Sequence, residues 1–359
     1  MTGEGSFAPT VAVTGLNATD NPGPGVGVIR CLRADPDFRG RVVGLAYDSL
    51  DPGIYAPDVA DRVYLMPYPS EGHRAVWDRL AGVIDDARID VVIPTLDAEL
   101  PAFIELEKDL AHRGVHTFLP TREQFDLRSK TRLEDLGARC GVPVPRTRLA
   151  TQPRELFQAA EELGLPIVVK GLFYGAMVCH SLDEAVASLH KTAAQWGLPV
   201  VVQQYVPGEE YDVSALGDGH GGMVGAVPMK KLFLTDKGKG WAGVTVGEPA
   251  LLDVTERVLR GLRWRGPCEV EVVHSKKDGR FYLLEINPRF PAWIYLSAGA
   301  GQNLPAACAR LALGEEIDHL PPCRVGTMFV RISLDQIASF RDFEDIMAHG
   351  RIVRDEGES

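Results

Sequence analysis

The first 120 residues alternate short apolar runs with stretches whose apolar side chains recur at helical spacing. Strand-like apolar runs occupy 11–16, 41–48 and 91–96. Between and after them, residues 74–89 and 101–114 carry apolar side chains at the spacing of amphipathic helices. Strands that alternate with helices pair in parallel, so this pattern predicts a small doubly wound α/β domain over residues 1–122.

The pattern changes near residue 121. Residues 121–147 predict one helix closed by Gly141 and then a linker stiffened by Pro143 and Pro145. Two further helices follow, together with the strands 166–170 and 200–206, which predicts a small α+β lobe over residues 123–200.

The rest of the chain predicts a larger lobe built on an antiparallel sheet, over residues 201–320. Its strands read YDVSALG, MVGAVPM, VEVVH and FYLLEI, and two helices are expected, one before residue 264 and one at 303–313. Residues 321–359 read as a C-terminal strand–helix extension and tail. Only the first ten residues and the tail 354–359 have the composition of disordered segments.

Composition and charge narrow the class of protein. The chain has 359 residues, 45% hydrophobic and 24% charged, which is typical of a soluble globular protein. Its formal net charge of −11 argues against nucleic acid or an anionic membrane as the main partner. The six cysteines are scattered without metal-binding spacing, so free buried thiols are expected. With no signal-peptide pattern and no long apolar run, we expect a cytoplasmic protein.

A Gly-rich loop at 21–27 follows the first predicted strand. It lacks a clean GxGxxG pattern, and the acidic residue after the second strand, Asp48, is only loosely placed for a dinucleotide. The loop therefore suits a tight turn or a substrate pocket better than a nucleotide site.

The segment FYLLEINPRF (281–290) carries the most informative chemistry. Side chains two apart in an extended segment share a face, so Glu285, Asn287 and Arg289 converge at one strand end. Carboxylate and amide oxygens suit Mg²⁺, and the Arg289 fork suits a phosphate or a carboxylate. Taken alone, the segment could also be a surface hairpin with a paired Glu and Arg.

The order of features upstream resolves that choice. A lysine closes the strand 166–170, a loop with Gly171 and Gly175 follows, and then come QQYVPGEEYDV, KKLFLTDKGKGWAG, EVEVV and LLEINPR. This order resembles the ATP-grasp superfamily, in particular the branch of carbamoyl phosphate synthetase, biotin carboxylase and small carboxylate–amine ligases. The resemblance spans roughly residues 125–315. It implies a pre-ATP-grasp α/β domain followed by the two-lobed ATP-grasp fold.

The resemblance also implies roles for individual residues. Lys130 and Lys170 match lysines that contact the nucleotide phosphates, and Glu210 matches the carboxylate that accepts from the ribose hydroxyls. Arg289 matches the arginine that steadies the reacting carboxylate or its acyl phosphate. The adenine-reading hinge is matched by Gln203, Gln204, Tyr205 and Val206, where many relatives carry Glu at the first two positions.

The metal site implied by the resemblance draws on two strands. Glu271 lies 14 residues before Glu285, across a predicted hairpin closed by KKDGR, so cross-strand pairing brings the two carboxylates together. With Asn287 they would hold one or two Mg²⁺ ions between the ATP phosphates. Glu269 shares a face with Glu271 and is the reserve ligand.

Several assignments stay open at this stage. Lys230 and Lys231 face opposite ways at a strand end, so only one enters the site, and Lys231 is favoured as the contact to the terminal phosphate. Residues 235–243 have the composition of a mobile lid or of an exposed loop. Phe290, Trp293 and Tyr295 form either an aromatic wall for the acceptor or part of the core. Phe173 and Tyr174 occupy a loop that is longer and Gly-rich in many relatives.

The expected function is an ATP- and Mg²⁺-dependent carboxylate–amine ligase that works through an acyl phosphate. Its partners would be a small carboxylic acid and an amine, such as an amino acid or short peptide, with a homodimer as the assembly common among relatives. Two alternatives remain: a carboxyphosphate-forming carboxylase or carbamoyl-phosphate-type synthetase, and a non-catalytic ATP-binding regulatory protein.

Overall fold

The N-terminal domain is a doubly wound sheet, as predicted. The structure is a computed structural model that describes residues 7–17, 22–172, 175–234 and 240–354. Four parallel strands are ordered β3-β2-β1-β4. Strands and helices in this domain are β1 (Thr10–Thr14), α1 (Gly25–Ala34), β2 (Arg41–Ala46), β3 (Arg62–Leu65), α2 (His73–Ala87), β4 (Val91–Ile93) and α3 (Leu100–His112). The sequence pattern did not predict β3, whose four residues RVYL form no continuous apolar run.

Both faces of this sheet are covered. Val11 and Val13 pack on the side of α1, whereas Ala12 between them packs on the side of α2 and α3. Successive side chains of a strand point to opposite faces, so a strand covered on both sides reads as a continuous apolar run.

The linker departs from the prediction of one helix. Two short helices form instead, α4 (Arg122–Leu127) and α5 (Leu133–Cys140), with a 3₁₀ turn at Lys130–Arg132 between them. The Ser129 hydroxyl accepts from the Thr131 backbone N–H, and such local side-chain bonds compete with helix continuation. Gly141 does end α5, with φ +66°.

The small lobe is a four-stranded antiparallel sheet with two helices, which agrees with the predicted α+β lobe. Its strands are ordered β5-β8-β6-β7. The elements are β5 (Thr147–Ala150), α6 (Pro153–Leu163), β6 (Ile167–Lys170), β7 (Ala176–Cys179), α7 (Leu182–Trp196) and β8 (Val200–Gln204). Phe173 and Tyr174, singled out in the sequence, lie outside the described residues.

The large lobe is a six-stranded antiparallel sheet, also as predicted, ordered β13-β12-β9-β10-β11-β14. Its elements are β9 (Gly208–Asp218), β10 (Met223–Leu234), β11 (Gly240–Thr245), α8 (Pro249–Leu262), β12 (Arg265–Ser275), β13 (Phe281–Asn287), α9 (Tyr295–Gly299), α10 (Leu304–Ala312) and β14 (Met328–Val330). Residues 240–243 of the proposed lid belong to β11, so the lid interpretation is wrong there. Residues 235–239 lie outside the described ranges.

The C-terminal extension returns to the N-terminal domain, which the sequence did not predict. After α11 (Phe340–His349), strand β15 (Arg351–Val353) pairs antiparallel with β3. Ile346 and Ile352 are buried in the core that α1 shares with the N-terminal sheet. The first and last described residues are also ordered by contacts: Phe7 packs edge-on against Phe38, and the Arg354 guanidinium donates to the Ala60 carbonyl. The prediction of disorder is therefore wrong for residues 7–10 and 354.

The cysteines were expected to be free, buried thiols. All six cysteines are free, and five of them are buried, which confirms that prediction. Among the described residues, no helix is long and apolar enough to cross a membrane.

Candidate functional site

The register of the large-lobe sheet gathers charged residues on one face. Glu271 pairs with Glu285 across the β12–β13 hairpin, which confirms the predicted pairing, and Glu269 pairs with Asn287. On the other side of β12, Asp212 of β9 lies opposite Glu271. Directly opposite residues of neighbouring strands share a sheet face, so these side chains form one polar surface, here called the polar face.

A buried carboxylate cluster occupies the centre of the polar face. Asp212, Glu269 and Glu271 each offer an oxygen within 4.8 Å of the others. Asp212 Oδ1 is buried, and its charged neighbour is Lys231 Nζ at 3.1 Å. Three hard oxygen donors this close together fit a divalent cation such as Mg²⁺.

The pKa values of two carboxyl groups in the cluster, Asp212 and Glu271, are shifted in opposite directions. Burial raises the pKa of Asp212 well above its usual range, Lys231 opposes this, and Glu271 and Glu269 add to it. Burial also acts to raise the pKa of Glu271, but Lys231 and the Asn287 hydrogen bond outweigh it, so that this pKa is lowered. Asp212 was missed by the sequence reasoning, although its place two residues after Glu210 on one strand was a usable signal.

Two of the predicted metal ligands are engaged with other groups. The Asn287 amide nitrogen donates to Glu271 Oε1 at 2.8 Å and to Glu269 Oε2 at 3.1 Å, so its oxygen is directed away from these carboxylates. Glu285 forms an ion pair with Lys130, Nζ to Oε1 3.2 Å. The group of three carboxylates that the structure brings within 4.8 Å contains Asp212 with Glu269 and Glu271, and not Glu285.

The neighbouring lysines of β10 face opposite sides of the sheet. Lys231 lies on the polar face with 10% of its side chain exposed, 3.1 Å from Glu210 Oε2 and 3.9 Å from Glu271 Oε2. Lys230 points to the other side, where it pairs with Glu209 at 2.9 Å and is 34% exposed. Burial would lower the pKa of Lys231, but Asp212, Glu271 and Glu210 raise it well above its usual range.

Lys170 closes β6 of the small lobe and lies near Lys130 and near Glu285 and Glu271 of the polar face. Its pKa is lowered by burial first of all, with Glu285 acting in the opposite direction and Lys130 reinforcing the shift. Within the described ranges, no hydrogen bond or ion pair reaches the Lys170 ammonium. A half-buried ammonium without an anion partner is costly unless a ligand supplies the anion.

Arg289 is held by two carboxylates. Its Nε donates to Asp97 Oδ2 at 2.9 Å, and its Nη1 donates to Glu269 Oε2 at 3.0 Å. These carboxylates raise the pKa of Arg289 against the effect of burial. Asp97, which follows β4 in the N-terminal domain, was also missed. Burial would raise the pKa of Asp97, but Arg289, Arg128 and Lys130 hold it below its usual range.

The proposed adenine hinge lies between the two lobes. Gln203 is buried and its amide nitrogen donates to the Thr147 hydroxyl at 3.4 Å, whereas the Gln204 backbone N–H donates to the Arg146 carbonyl. Tyr205 and Val206 follow at the end of β8, with Tyr205 partly exposed. Glu210, the candidate ribose contact, is half-exposed and bonded to Lys231.

The aromatic residues after Arg289 belong mainly to the core. Phe290 and Trp293 are buried among the residues that join α1, α9 and α10, and Trp293 Nε1 donates to Glu269 Oε1 at 2.9 Å. Tyr295 is 39% exposed, with the Arg30 guanidinium over its ring at 4.2 Å. The core interpretation therefore holds for Phe290 and Trp293, and only Tyr295 is open to a ligand.

Backbone hydrogen bonds hold the described part of the Gly-rich loop against the segment that follows β1. The Gly23 N–H donates to the Asn17 carbonyl and the Gly25 N–H to the Gly15 carbonyl. A Cβ on Gly25 would lie 2.0 Å from the Thr14 carbonyl oxygen, so no other residue fits there. Asn21, which begins the loop, is outside the described residues.

Comparisons with known proteins agree with this architecture. Residues 198–333 match a family described as "ATP-grasp in the biosynthetic pathway with Ter operon". The chain carries an ATP-grasp domain. The match covers the hinge, the polar face and β14, and thus the strands that hold the carboxylate cluster.

Relatives extend the similarity beyond the ATP-grasp domain. The chain is 26% identical over 327 residues to the carbamoyl phosphate synthase large chain of Deinococcus radiodurans, which covers 84% of this chain and 30% of that protein. The chain thus spans under a third of that relative's length.

Solved structures show the same fold at low identity. A biotin carboxylase from Campylobacter jejuni superposes with a TM-score of 0.70 at 15% identity, covering 89% of this chain and 74% of that chain. The biotin carboxylase domain of 2-oxoglutarate carboxylase from Hydrogenobacter thermophilus gives a TM-score of 0.68 at 16% identity, covering 90% and 73%. These likenesses establish the fold of the ATP-grasp domain and of the domain before it.

Proposed function

We propose that this chain is an ATP- and Mg²⁺-dependent ligase that activates a carboxylic acid as an acyl phosphate and transfers the acyl group to an amine. The observation that carries the proposal is the Lys170 ammonium, which has no anion partner among the described residues and lies near Glu285 and Glu271, on the sheet face that also holds Lys231. A triphosphate with a divalent cation would satisfy the ammonium and the carboxylates together.

The nucleotide would lie between the lobes. Lys130 and Lys170 would bind phosphate oxygens, and Lys231 would approach the terminal phosphate. Backbone groups from Gln203 to Val206 would read the adenine edge, and Glu210 would accept from the ribose hydroxyls. The similar carboxylase domain from Hydrogenobacter thermophilus was solved with MgADP, which supports a nucleotide in this cleft.

The metal would be held on the polar face. Glu271, Glu285 and Asn287 are the proposed ligands, with Glu269 and Asp212 as the nearest additional carboxylates. Bound Mg²⁺ would neutralise charge on the phosphates. Lys130 would have to leave Glu285, and the Asn287 amide would have to turn its oxygen toward the ion, since both are otherwise engaged.

The reaction needs no protein nucleophile. A carboxylate oxygen attacks the γ-phosphorus, the bond from that phosphorus to the bridging oxygen breaks, and ADP leaves. An amine nitrogen then attacks the acyl carbon and displaces phosphate. Lys231 and Arg289 would position the substrates and stabilise the negative charge that develops in the transition state. These two effects dominate the catalysis of phosphoryl transfer.

The decisive experiment follows one oxygen atom. The protein is incubated with Mg·ATP and pairs of acids and amines, with the acid carboxylate labelled with ¹⁸O, and both ADP and phosphate are analysed. Acyl-phosphate formation moves one ¹⁸O into the released phosphate. Release that needs both an acid and an amine supports the proposal.

Two other results would contradict the proposed ligase activity and favour an alternative function. ADP release driven by labelled bicarbonate alone would favour carboxyphosphate chemistry, the runner-up, which the similarity to carbamoyl phosphate synthase supports. No ADP release with any pair, while Mg·ATP still binds, would favour a non-catalytic nucleotide-binding protein. Light scattering tests the proposed homodimer, which the dimeric form of the Hydrogenobacter thermophilus domain supports.

A further inference from the structure

Three of the five N–H groups of the Arg289 guanidinium donate hydrogen bonds to other groups of the protein. Its Nε donates to Asp97, and its Nη1 donates both to Glu269 and to the Phe290 carbonyl. Across the described ranges, the Nη2 amino group has no hydrogen-bond partner. The side chain is 16% exposed, so a single amino group is left to meet a ligand.

Both carboxylates that hold Arg289 are themselves fixed. Glu269 accepts from Asn287, Arg289 and Trp293, which leaves it little freedom to turn. Asp97 lies in a short loop that the buried Glu99 closes, because Glu99 Oε1 accepts the backbone N–H groups of Thr95 and Leu96 at 2.7 and 2.8 Å. The guanidinium is therefore clamped between two rigid acceptors.

The two acceptors come from different domains. Glu269 belongs to the sheet that carries Arg289, whereas Asp97 lies 192 residues before Arg289, at the carboxyl end of the N-terminal sheet. The N-terminal domain thus reaches the polar face through a charged contact of 2.9 Å.

We propose that Asp97 is a positioning residue that holds Arg289 with its free amino group toward the reacting carboxylate. The N-terminal domain thereby becomes part of the acid-binding subsite. This inference rests on the proposed function in one respect, since it treats Arg289 as the contact to the acid.

A second pair provides a matched control. Asp35, at the end of α1, accepts from Arg310 Nη1 of α10 at 2.9 Å, and its side chain is only 7% exposed. This pair also joins the N-terminal domain to the large lobe, but neither residue belongs to the candidate site. A loss of cross-domain anchoring alone should therefore be reproduced by Asp35→Asn.

The kinetic test compares Asp97→Asn with Asp35→Asn, using the acid and amine that support turnover. We expect Asp97→Asn to lower kcat/KM for the acid by about 10–100-fold with the KM for ATP within about twofold, because a misplaced contact group weakens only its own subsite. Asp35→Asn should change neither value.

A double-mutant comparison tests whether Asp97 acts through Arg289. In an Arg289→Ala background, Asp97→Asn should lower kcat/KM for the acid by less than about a further twofold, since the effects of residues that act through one another are not additive. Equal effects of the two Asp variants, or a full additional loss in that background, would overturn the proposal.

A second readout does not depend on turnover. Phenylglyoxal condenses with accessible guanidinium groups, and peptide mass spectrometry reports the labelling rate at Arg289. We expect this rate to rise several-fold in Asp97→Asn and to stay unchanged in Asp35→Asn. An unchanged rate in both variants would show that Asp97 does not hold Arg289. Increased labelling in a protein that turns over no acid–amine pair would reject the proposed function and leave the positioning role standing.

Folding of the variant is checked by its thermal transition. If Asp97→Asn does not fold, Asp97→Glu, which keeps the charge but adds a methylene, takes its place. It should lower kcat/KM for the acid while Arg289 stays protected from phenylglyoxal. Full activity together with full exposure of Arg289 would contradict the proposal.

Discussion

The two faces of the large-lobe sheet are built from alternating residues of the same strands, yet they carry different tasks. One face, with Tyr211, Val213, Val270 and Val272, packs against α8 as an apolar core. The polar face is formed by the residues that alternate with these along the strands, and it carries Asp212, Glu269, Glu271 and Lys231. The apolar face stabilises the sheet, and the polar face holds costly buried charges that only ligands would fully satisfy. A substitution should therefore change stability or chemistry according to its face.

The largest expected effect comes from the polar face. Glu285→Gln removes one negative charge and leaves Lys130 without its carboxylate, so we expect ATP turnover to fall by about 10³-fold or more. The thermal transition should stay within a few degrees of wild type. Steady-state ADP release and calorimetry measure the two, and turnover near the wild-type rate would remove Glu285 from the metal site.

On the apolar side, the expected loss is in stability. Leu259 of α8 is fully buried under that face, so Leu259→Ala should lower the free energy of unfolding by about 2–5 kcal/mol. Urea unfolding measures the loss. The KM for ATP of the folded fraction should be unchanged, and a large change in this KM would mean that the two faces are not independent.

Lys231 and Lys230 provide the most direct comparison of the faces. Lys231→Met should lower kcat by about 10–100-fold, because it removes the charge aimed at the terminal phosphate. Lys230→Met breaks an exposed ion pair with Glu209 and a contact with the Tyr211 ring, both on the other side of the sheet. The Lys230 variant should stay within about twofold of wild type. The reverse order of the two variants would reassign the phosphate contact.

The smallest effect concerns the contact of the N-terminal domain with the polar face. The pKa of Asp97 is lowered in the folded protein, so its charge stabilises the fold above its ordinary pKa of 3.8, and this contribution is lost as the pH falls through the folded-state value. The stability advantage of wild type over Asp97→Asn should be constant from pH 7 to about pH 4 and shrink below that. Urea unfolding across this range tests it, and an advantage that grows on acidification would contradict the assigned direction.

Most elements could be predicted because they rest on local patterns. The parallel strands read as continuous apolar runs, and the antiparallel strands alternate. The pairing of Glu271 with Glu285 followed from a short turn between two strands, since a hairpin fixes its own register. The broken linker helix escaped prediction, because the local bond of the Ser129 side chain to the Thr131 N–H at the break leaves no mark on the apolar pattern.

What could not be predicted depends on contacts between residues distant in sequence. Nothing near PTLDAE indicates that Asp97 meets Arg289, and nothing near the C-terminus indicates that β15 completes the N-terminal sheet. The carboxylate cluster likewise joins Asp212 to residues 57 and 59 positions later through the pairing of β9 with β12.

The sequence by itself determined the alternation within each strand, and with it that only one of Lys230 and Lys231 shares a face with the acidic residues. It also determined the order of domains, because periodicity and turn residues act over a few positions. Only the tertiary structure decided which charges meet: Lys130 with Glu285, Lys231 with Asp212, and Asp97 with Arg289. Long-range pairing is selected by the burial of whole sheets and domains, which no local pattern records.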